Sequence, residues 1–344
     1  MNFAKPELLA PAGDYTRFRY AVEYGADAVY VGGEEFSLRT AVANFPRADL
    51  ARAVDYAHRR NVRVYVACNT VPRNDEIERF SDYLQFLKKI EVDALIVSDL
   101  GLFMMIRDEC PEMELHVSTQ ANISNYADCL AWYRLGAKRV VLARELTFDE
   151  ITQIRLRTPG SLEIEAFVHG AMCVSHSGRC LLSNFMTGRD ANRGNCAQAC
   201  RWKYNLVEEK RPGQYMPVEE TDTGTFIFNS KDLCMIDHVP DLISAGITSF
   251  KIEGRVKTEY YVACVVAAYR RAIDACFSDL GEYERILPEL REEVCKVSHR
   301  PYFTGFYYGD QKSESMNFNE SGYIRDYEVS GIVTGYDYVR GCVV

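Results

Sequence analysis

The chain has 344 residues, 47% apolar and 26% charged, enough for one barrel-sized domain and a small annex. Its net charge of −9 argues against a general nucleic-acid binder, and no apolar run is long enough to span a bilayer. The opening Met1-Asn2-Phe3-Ala4-Lys5-Pro6 lacks the basic region and apolar core of a signal peptide, so the twelve cysteines read as reduced cytoplasmic thiols, some of them ligands.

Short apolar runs alternate with amphipathic stretches, the pattern of βα units. Glu7-Leu8-Leu9-Ala10 reads as strand one, and Asp14 caps a helix through Tyr24. Strand two, Ala28 to Val31, ends in Gly32-Gly33, where backbone can approach a ligand or simply turn. A helix over 48–59 precedes strand three, Val62 to Cys68, with Asn69 at its tip. A helix from Glu76 to Ile90 leads to strand four, Ala94 to Val97, and a short helix holds Leu102 to Ile106. Strand five is Leu115 to Ser118; Asn125 caps the helix that runs on to Leu135. Strand six, Arg139 to Ala143, ends at Arg144-Glu145, and a helix over 148–157 leads to strand seven, Leu162 to Val168. Tyr204 to Val207 and Thr225 to Phe228 read as a hairpin. A helix over Asp237 to Ala245, strand eight from Ser249 to Glu253 and a long helix from Glu259 to Cys276 complete the series.

Eight such strands predict an α/β fold, a (β/α)8 TIM-like barrel over residues 1–280 with a cysteine-rich insertion at 173–234. An open doubly wound sheet is the alternative, but no Gly-rich dinucleotide fingerprint or P-loop is present. Beyond 280, Phe303 to Gly309 is aromatic and glycine-rich, and Tyr327 to Thr334 reads as a strand. Residues 281–344 therefore read as a partial β annex, truncated or unusual at its end.

Cys173, Cys180, Cys196 and Cys200 fall within 28 residues, and Cys234 follows Cys200 after 33 intervening residues. Thiolates suit zinc or an iron–sulfur cluster, though this spacing is neither that of a zinc finger nor that of a ferredoxin. Cysteines also serve as small buried hydrophobes. Arg179, Arg189, Arg193, Arg201 and Lys203 form a basic rim opposed by Asp190, suited to RNA phosphate or a small acid's carboxylates, or to solvent.

Polar residues at strand ends are the other candidates, because barrel sites form on that face. His169 ends strand seven and serves either the site or a backbone hydrogen bond. Gln120, Asn122 and Asn125 offer neutral groups for a base or an acid, with Asn125 also a helix cap. After strand eight, Arg255 suits a carboxylate and Glu253 can hold Arg255 or accept a proton; a rim salt bridge is the plainer reading. Arg39, Arg179 and Arg193 are further anion ligands, and Tyr307 and Tyr308 are candidates for stacking bases. Ser175, Ser177, His169, His176 and Asp190 supply residue types of a nucleophilic triad, without evidence of its geometry.

The stretch Glu165-Ala166-Phe167-Val168-His169-Gly170-Ala171-Met172-Cys173, with Ser177-Gly178-Arg179-Cys180, Asn192-Arg193-Gly194-Asn195-Cys196 and Cys200-Arg201, resembles the collagenase-like peptidase family. Glu7 to Gly13, Ser118-Thr119-Gln120 with Asn125, and Lys251-Ile252-Glu253-Gly254-Arg255 extend the likeness over about residues 6–334. First labelled proteases, its better-understood members are oxygen-independent hydroxylases of transfer RNA wobble uridine (with prephenate), of ribosomal RNA cytidine or of ubiquinone precursors. The transfer RNA branch is the nearest. The resemblance implies a [4Fe-4S] cluster on Cys173, Cys180, Cys196 and Cys234, with Cys200 as the alternative ligand, and an electron donor it does not identify. It implies an RNA base hydroxylase with transfer RNA and prephenate as partners. A peptidase is the second expectation, and a non-catalytic iron–sulfur assembly partner the third.

Overall fold

The structure, a computed structural model, describes residues 4–38, 44–173, 175–202, 220–221, 224–225, 230–309, 323–331, 333, 336–337 and 342–343. Strands β1 (Glu7–Pro11), β2 (Ala28–Gly32), β3 (Arg63–Cys68), β4 (Ala94–Val97), β5 (Glu114–Val117), β6 (Arg139–Val141) and β7 (Glu163–Ala171) pair in parallel, each with the next. After the short strands β8 (Glu220–Thr221), β9 (Gly224–Thr225) and β10 (Asp232–Cys234), β11 (Ser249–Ile252) pairs in parallel with both β7 and β1. The circle closes, and the fold is the expected (β/α)8 barrel, not an open sheet.

The helices around it are α1 (Tyr15–Glu23), α2 (Arg47–His58), α3 (Asn74–Lys89), α4 (Leu100–Glu109), α5 (Tyr126–Leu135), α6 (Phe148–Leu156), α7 (Leu182–Thr187), α8 (Val239–Ser244), α9 (Glu259–Ser278) and α10 (Leu280–Cys295). Their starts are written in the sequence. Asp14 accepts from Arg17 N at 2.8 Å, Asp99 from Leu102 N at 3.0 Å and Asn125 from Asp128 N at 3.0 Å, each satisfying a free helix N–H. Alternate strand residues face outward and bury an apolar layer against these helices, Val29, Val31, Val64, Val66, Leu95 and Val97 among them.

The inward-facing residues differ. Leu9, Ala28, Tyr30, Tyr65, Ala94 and Ile96 form a small separate apolar cluster. The rest of the interior is charged: Arg139 donates to Glu7 at 2.6 Å, to Glu165 at 3.0 Å and to Glu163 at 2.5 Å, and Lys251 donates to Glu165 at 2.6 Å. All but Glu163 are buried.

Three expectations are corrected. Residues 281–295, assigned to the β annex, belong to α10, a helix packed on α9 that buries Tyr283, Ile286, Leu290 and Val294. The aromatic stretch after it does not stand apart: β12 (Tyr302–Phe303) pairs with β10, which runs antiparallel to the end of β7. The described residues of 327–334 form no strand; Tyr327, Val329 and Val333 are exposed, so their alternation has no core to face. A last hairpin joins β13 (Tyr336–Asp337) to β14 (Cys342–Val343). The pairing partner of Gly224–Thr225 is Glu220–Thr221, and the strand expected at 204–207 lies outside the described residues.

Candidate active site

A cavity of about 870 Å³ opens at the C-terminal ends of the barrel strands. Its floor is Tyr30, Ile96, Phe167 and Lys251; its walls include Ser118, Gln120, Arg144, Glu253 and Arg255; its roof is the cysteine-rich loop. Arg144, Arg189, Lys251, Arg255, Lys257 and Arg325 line it against one carboxylate, Glu253, among the described residues. In a chain of net charge −9, this concentration of cations selects for an anion.

The loop is folded by its own polar groups. Asn192 Nδ2 donates to Cys180 O at 3.0 Å while its Oδ1 accepts from Cys180 N at 3.2 Å. Ser183 Oγ donates to Arg189 O at 2.7 Å and accepts from Ala197 N at 2.9 Å. Cys173, Cys180, Cys196 and Cys200 all line the same cavity as free thiols. Burial raises the Cys180 pKa, but hydrogen bonds from Ser175 and from the backbone at Ser183 and Leu182 outweigh it and leave the thiol acidified, as a metal ligand requires. Cys234 sits on β10 opposite His169 and is not among the lining residues; burial pushes its thiol up to about 12. Four thiols around one cavity are a donor set that suits zinc or an iron–sulfur cluster. Among the described residues no three His, Cys, Asp or Glu side chains are placed to hold one metal ion, so cluster binding would draw the loop thiols together.

Glu253 and Arg255 both reach the cavity, as expected of the end of strand eight. The Arg255 guanidinium donates to Ser37 Oγ at 2.8 Å and to Leu38 O, which ties β11 to the segment after β2. Gly32 is there for that arginine: a Cβ at Gly32 would collide with the guanidinium and with Ser37. Gly33 is likewise pressed by the Tyr83 hydroxyl, so the glycine pair admits side chains of the fold itself. Gly170, at φ +108°, brings β7 against the Glu253 backbone, an approach and a conformation closed to other residues.

His169 is not at the cavity. It is 1% exposed, packed among Tyr261, Tyr269 and Tyr302, and burial drives its pKa down to about 3. Position at a strand end did not reveal this, because β7 continues past Phe167 to pair with β10 and turns the histidine outward. Asn125 is a helix cap, with Nδ2 donating to Asp128 Oδ2 at 2.9 Å. Arg193 is held at 2.8 Å by Glu76 of α3 and fastens the loop to the barrel. Arg179 is exposed and donates to Gln120 O at 2.7 Å. Gln120 lines the cavity, and its Oε1 is buried without a hydrogen-bond partner; Asn122 Oδ1 is likewise unpartnered beside it in sequence. Arg39 lies outside the described residues. Tyr307 is core, its hydroxyl donating to Phe167 O at 2.6 Å, and Tyr308 hydrogen-bonds to His238 and Asp241.

The triad residues do not form a triad. Ser177 is buried, with Oγ donating to Glu145 Oε2 at 3.0 Å and its backbone N–H to Oε1 at 2.7 Å. His176 Nε2 lies 3.8 Å from the same carboxylate. The carboxylate, not the imidazole, receives the hydroxyl, which inverts the order a serine nucleophile needs. Lys251 and Arg144 were visible only as parts of longer motifs. Glu7, Arg139 and Glu165 escaped notice as site support, although Glu165 and Lys251 alternate with Ala166, Phe250 and Ile252, the period of residues facing one side of a strand.

A closed parallel barrel with a cationic cavity at its C-terminal face, roofed by a thiol-bearing loop, defines a TIM-barrel protein with a cysteine-rich cap. The chain belongs to peptidase family U32, whose sequence pattern it matches over residues 13–317. It is 40% identical to tRNA hydroxylation protein P1 of Bacillus subtilis (strain 168), over 97% of this chain and 78% of that one. It is 39% identical to tRNA hydroxylation protein P of Escherichia coli (strain K12), over 93% of this chain and 78% of the relative. With the 23S rRNA 5-hydroxycytidine C2501 synthase of Escherichia coli (strain K12) it shares 39% identity over 81% of its length and 41% of the relative's.

Proposed function

We propose that this protein is an RNA-modifying hydroxylase that acts on the wobble uridine of transfer RNA, with prephenate as its small-acid partner and a [4Fe-4S] cluster. The observation that carries the reading is the cationic, thiol-roofed cavity in an otherwise acidic molecule. An anticodon base leaves its stack at little cost and enters such a mouth base first, while phosphates meet the exposed guanidinium groups of Arg179 and Arg189. Cys173, Cys180 and Cys196 would hold the cluster with Cys234 or Cys200 as the fourth ligand, and the cluster would supply one-electron transfer when bound. Glu253, the one carboxylate lining the cavity among the described residues, is the proton acceptor within reach of a bound base. No described helix is long and apolar enough to cross a membrane, and the cytoplasm, where transfer RNA resides, is the compartment proposed.

The test is mass analysis of total transfer and ribosomal RNA nucleosides from a strain lacking the gene. One hydroxylated uridine should disappear and return with the wild-type gene but not with Cys180→Ser. An unchanged nucleoside profile removes the reading.

A further inference from the structure

We infer that Lys251 in the floor of the cavity and Arg144 in its wall form a two-point anchor for a small dicarboxylic acid. This names the ligand chemistry of the small-acid step proposed above and rests on that reading.

The two cations share one aromatic platform. The Arg144 guanidinium carbon lies 3.9 Å from the centroid of the Phe167 ring, and Lys251 Nζ lies 5.5 Å from the same centroid. Lys251 Nζ is also 4.6 Å from the centroid of Tyr30. All four residues line the cavity. A small dianion therefore meets one positive charge from Arg144, just past the end of β6, and one from Lys251 on β11, the two strands that flank β7.

Both cations are held in place from behind. Lys251 is 5% exposed and is braced by Glu165, itself braced by Arg139, so its ammonium cannot swing into solvent. Arg144 Nη1 donates to Ala171 O at 3.1 Å, which orients the guanidinium plane, while its Nε–H is buried with no hydrogen-bond partner. Gln120 Oε1 is also buried and unpartnered on the neighbouring stave. An unsatisfied donor and an unsatisfied acceptor on two cavity-lining side chains are costly for the free protein, and a small turn of each toward a ligand carrying a carboxylate and a hydroxyl or N–H would satisfy them. Arg255, the carboxylate ligand expected from sequence, has guanidinium hydrogens committed to Ser37 and Leu38 and acts as a positioning residue.

The experiment is calorimetric titration of the anaerobically purified full chain with prephenate, and with benzoate as a monocarboxylate probe. Wild-type protein should bind prephenate at least tenfold more tightly than benzoate. Lys251→Met and Arg144→Gln should each weaken prephenate binding by about ten- to a hundredfold, the usual cost of losing a hydrogen bond to a charged group. Lys251→Arg should retain most of the affinity, and Arg285→Gln, on the outer face of α10, all of it. Thermal melts report folding; should Lys251→Met not fold, Arg144→Gln carries the test, since Arg144 supports no buried ion pair among those described. Wild-type binding with unchanged affinity in Arg144→Gln and in any folded Lys251 variant overturns the anchor and leaves the proposed function standing. Absence of prephenate binding to the wild type overturns the small-acid reading itself.

Discussion

Replacing Arg139 with methionine removes one side chain and leaves three carboxylates facing one another inside the barrel. Arg139 is 1% exposed and donates to Glu7, Glu163 and Glu165 together. Glu7 retains Arg63 and Tyr65, and Glu165 retains Lys251, so the loss is partial. Removing one member of a buried, hydrogen-bonded ion cluster costs about 3–5 kcal/mol. The acid dependence supplies a second check. Burial alone would raise the Glu7 pKa, but Arg139 above all, with Arg63 and Tyr65, lowers it from 4.5 to about 2. A carboxyl depressed in the folded state stabilises fully above its unfolded pKa, and that contribution, about 3 kcal/mol here, disappears as pH falls from about 4.5 to 2. In Arg139→Met burial dominates, Glu7 takes up a proton in the folded state, and the acid sensitivity shrinks. Urea unfolding at pH 7 should show the 3–5 kcal/mol loss, and the gap between wild type and variant should narrow at pH 3. A loss below about 1 kcal/mol at pH 7, or a gap independent of pH, refutes the account of the interior as a charge network.

The fourth cluster ligand is read by iron and sulfide content after anaerobic purification: Cys180→Ser should lose both, and of Cys200→Ser and Cys234→Ser only one should. If both retain full iron, the four-thiol site is wrong. His116 and His169 are each driven to about 3 by burial, while their unfolded imidazoles bind protons near 6.5. The unfolded state thus binds more protons in between, and stability falls as pH drops below about 6.5, by ~1.4 kcal/mol per unit for each histidine. Urea unfolding at pH 6 and pH 5 should show a shallower slope for His169→Phe; an identical slope would mean that the ring is accessible to protons when folded.

Barrel topology was legible because the strands are apolar runs bounded by turn residues, and Asp14 and Asn125 mark the starts of α1 and α5. The C-terminal segment was misread because aromatic and glycine residues at 303–309 suggested a separate β unit, whereas Tyr307 reaches back to Phe167 of the barrel. At the site, composition marked the cysteines and the strand-eight motif, but not which way a side chain points. His169 failed for that reason: a strand that outlasts the barrel presents its last residues to a different neighbour. Arg193 is a tether and Asn125 is the helix cap that was its other reading, because a cap or a tether uses the same polar groups as a ligand site. Lys251 and Arg144 emerge only when distant strands are brought side by side.

The ion cluster inside the barrel joins residues far apart along the chain: Arg139 Nη1 to Glu7 spans 132 positions, and Ser249 to Glu7 spans 242. During synthesis Glu7 emerges long before either partner. Through β4 the cluster consists of Glu7 with Arg63 as its cation, and Arg139, Glu163 and Glu165 join it only with β6 and β7. Lys251 reaches Glu165 and Ser249 reaches Glu7 only when the eighth stave closes the ring, so late-emerging residues complete the pairing of the early ones.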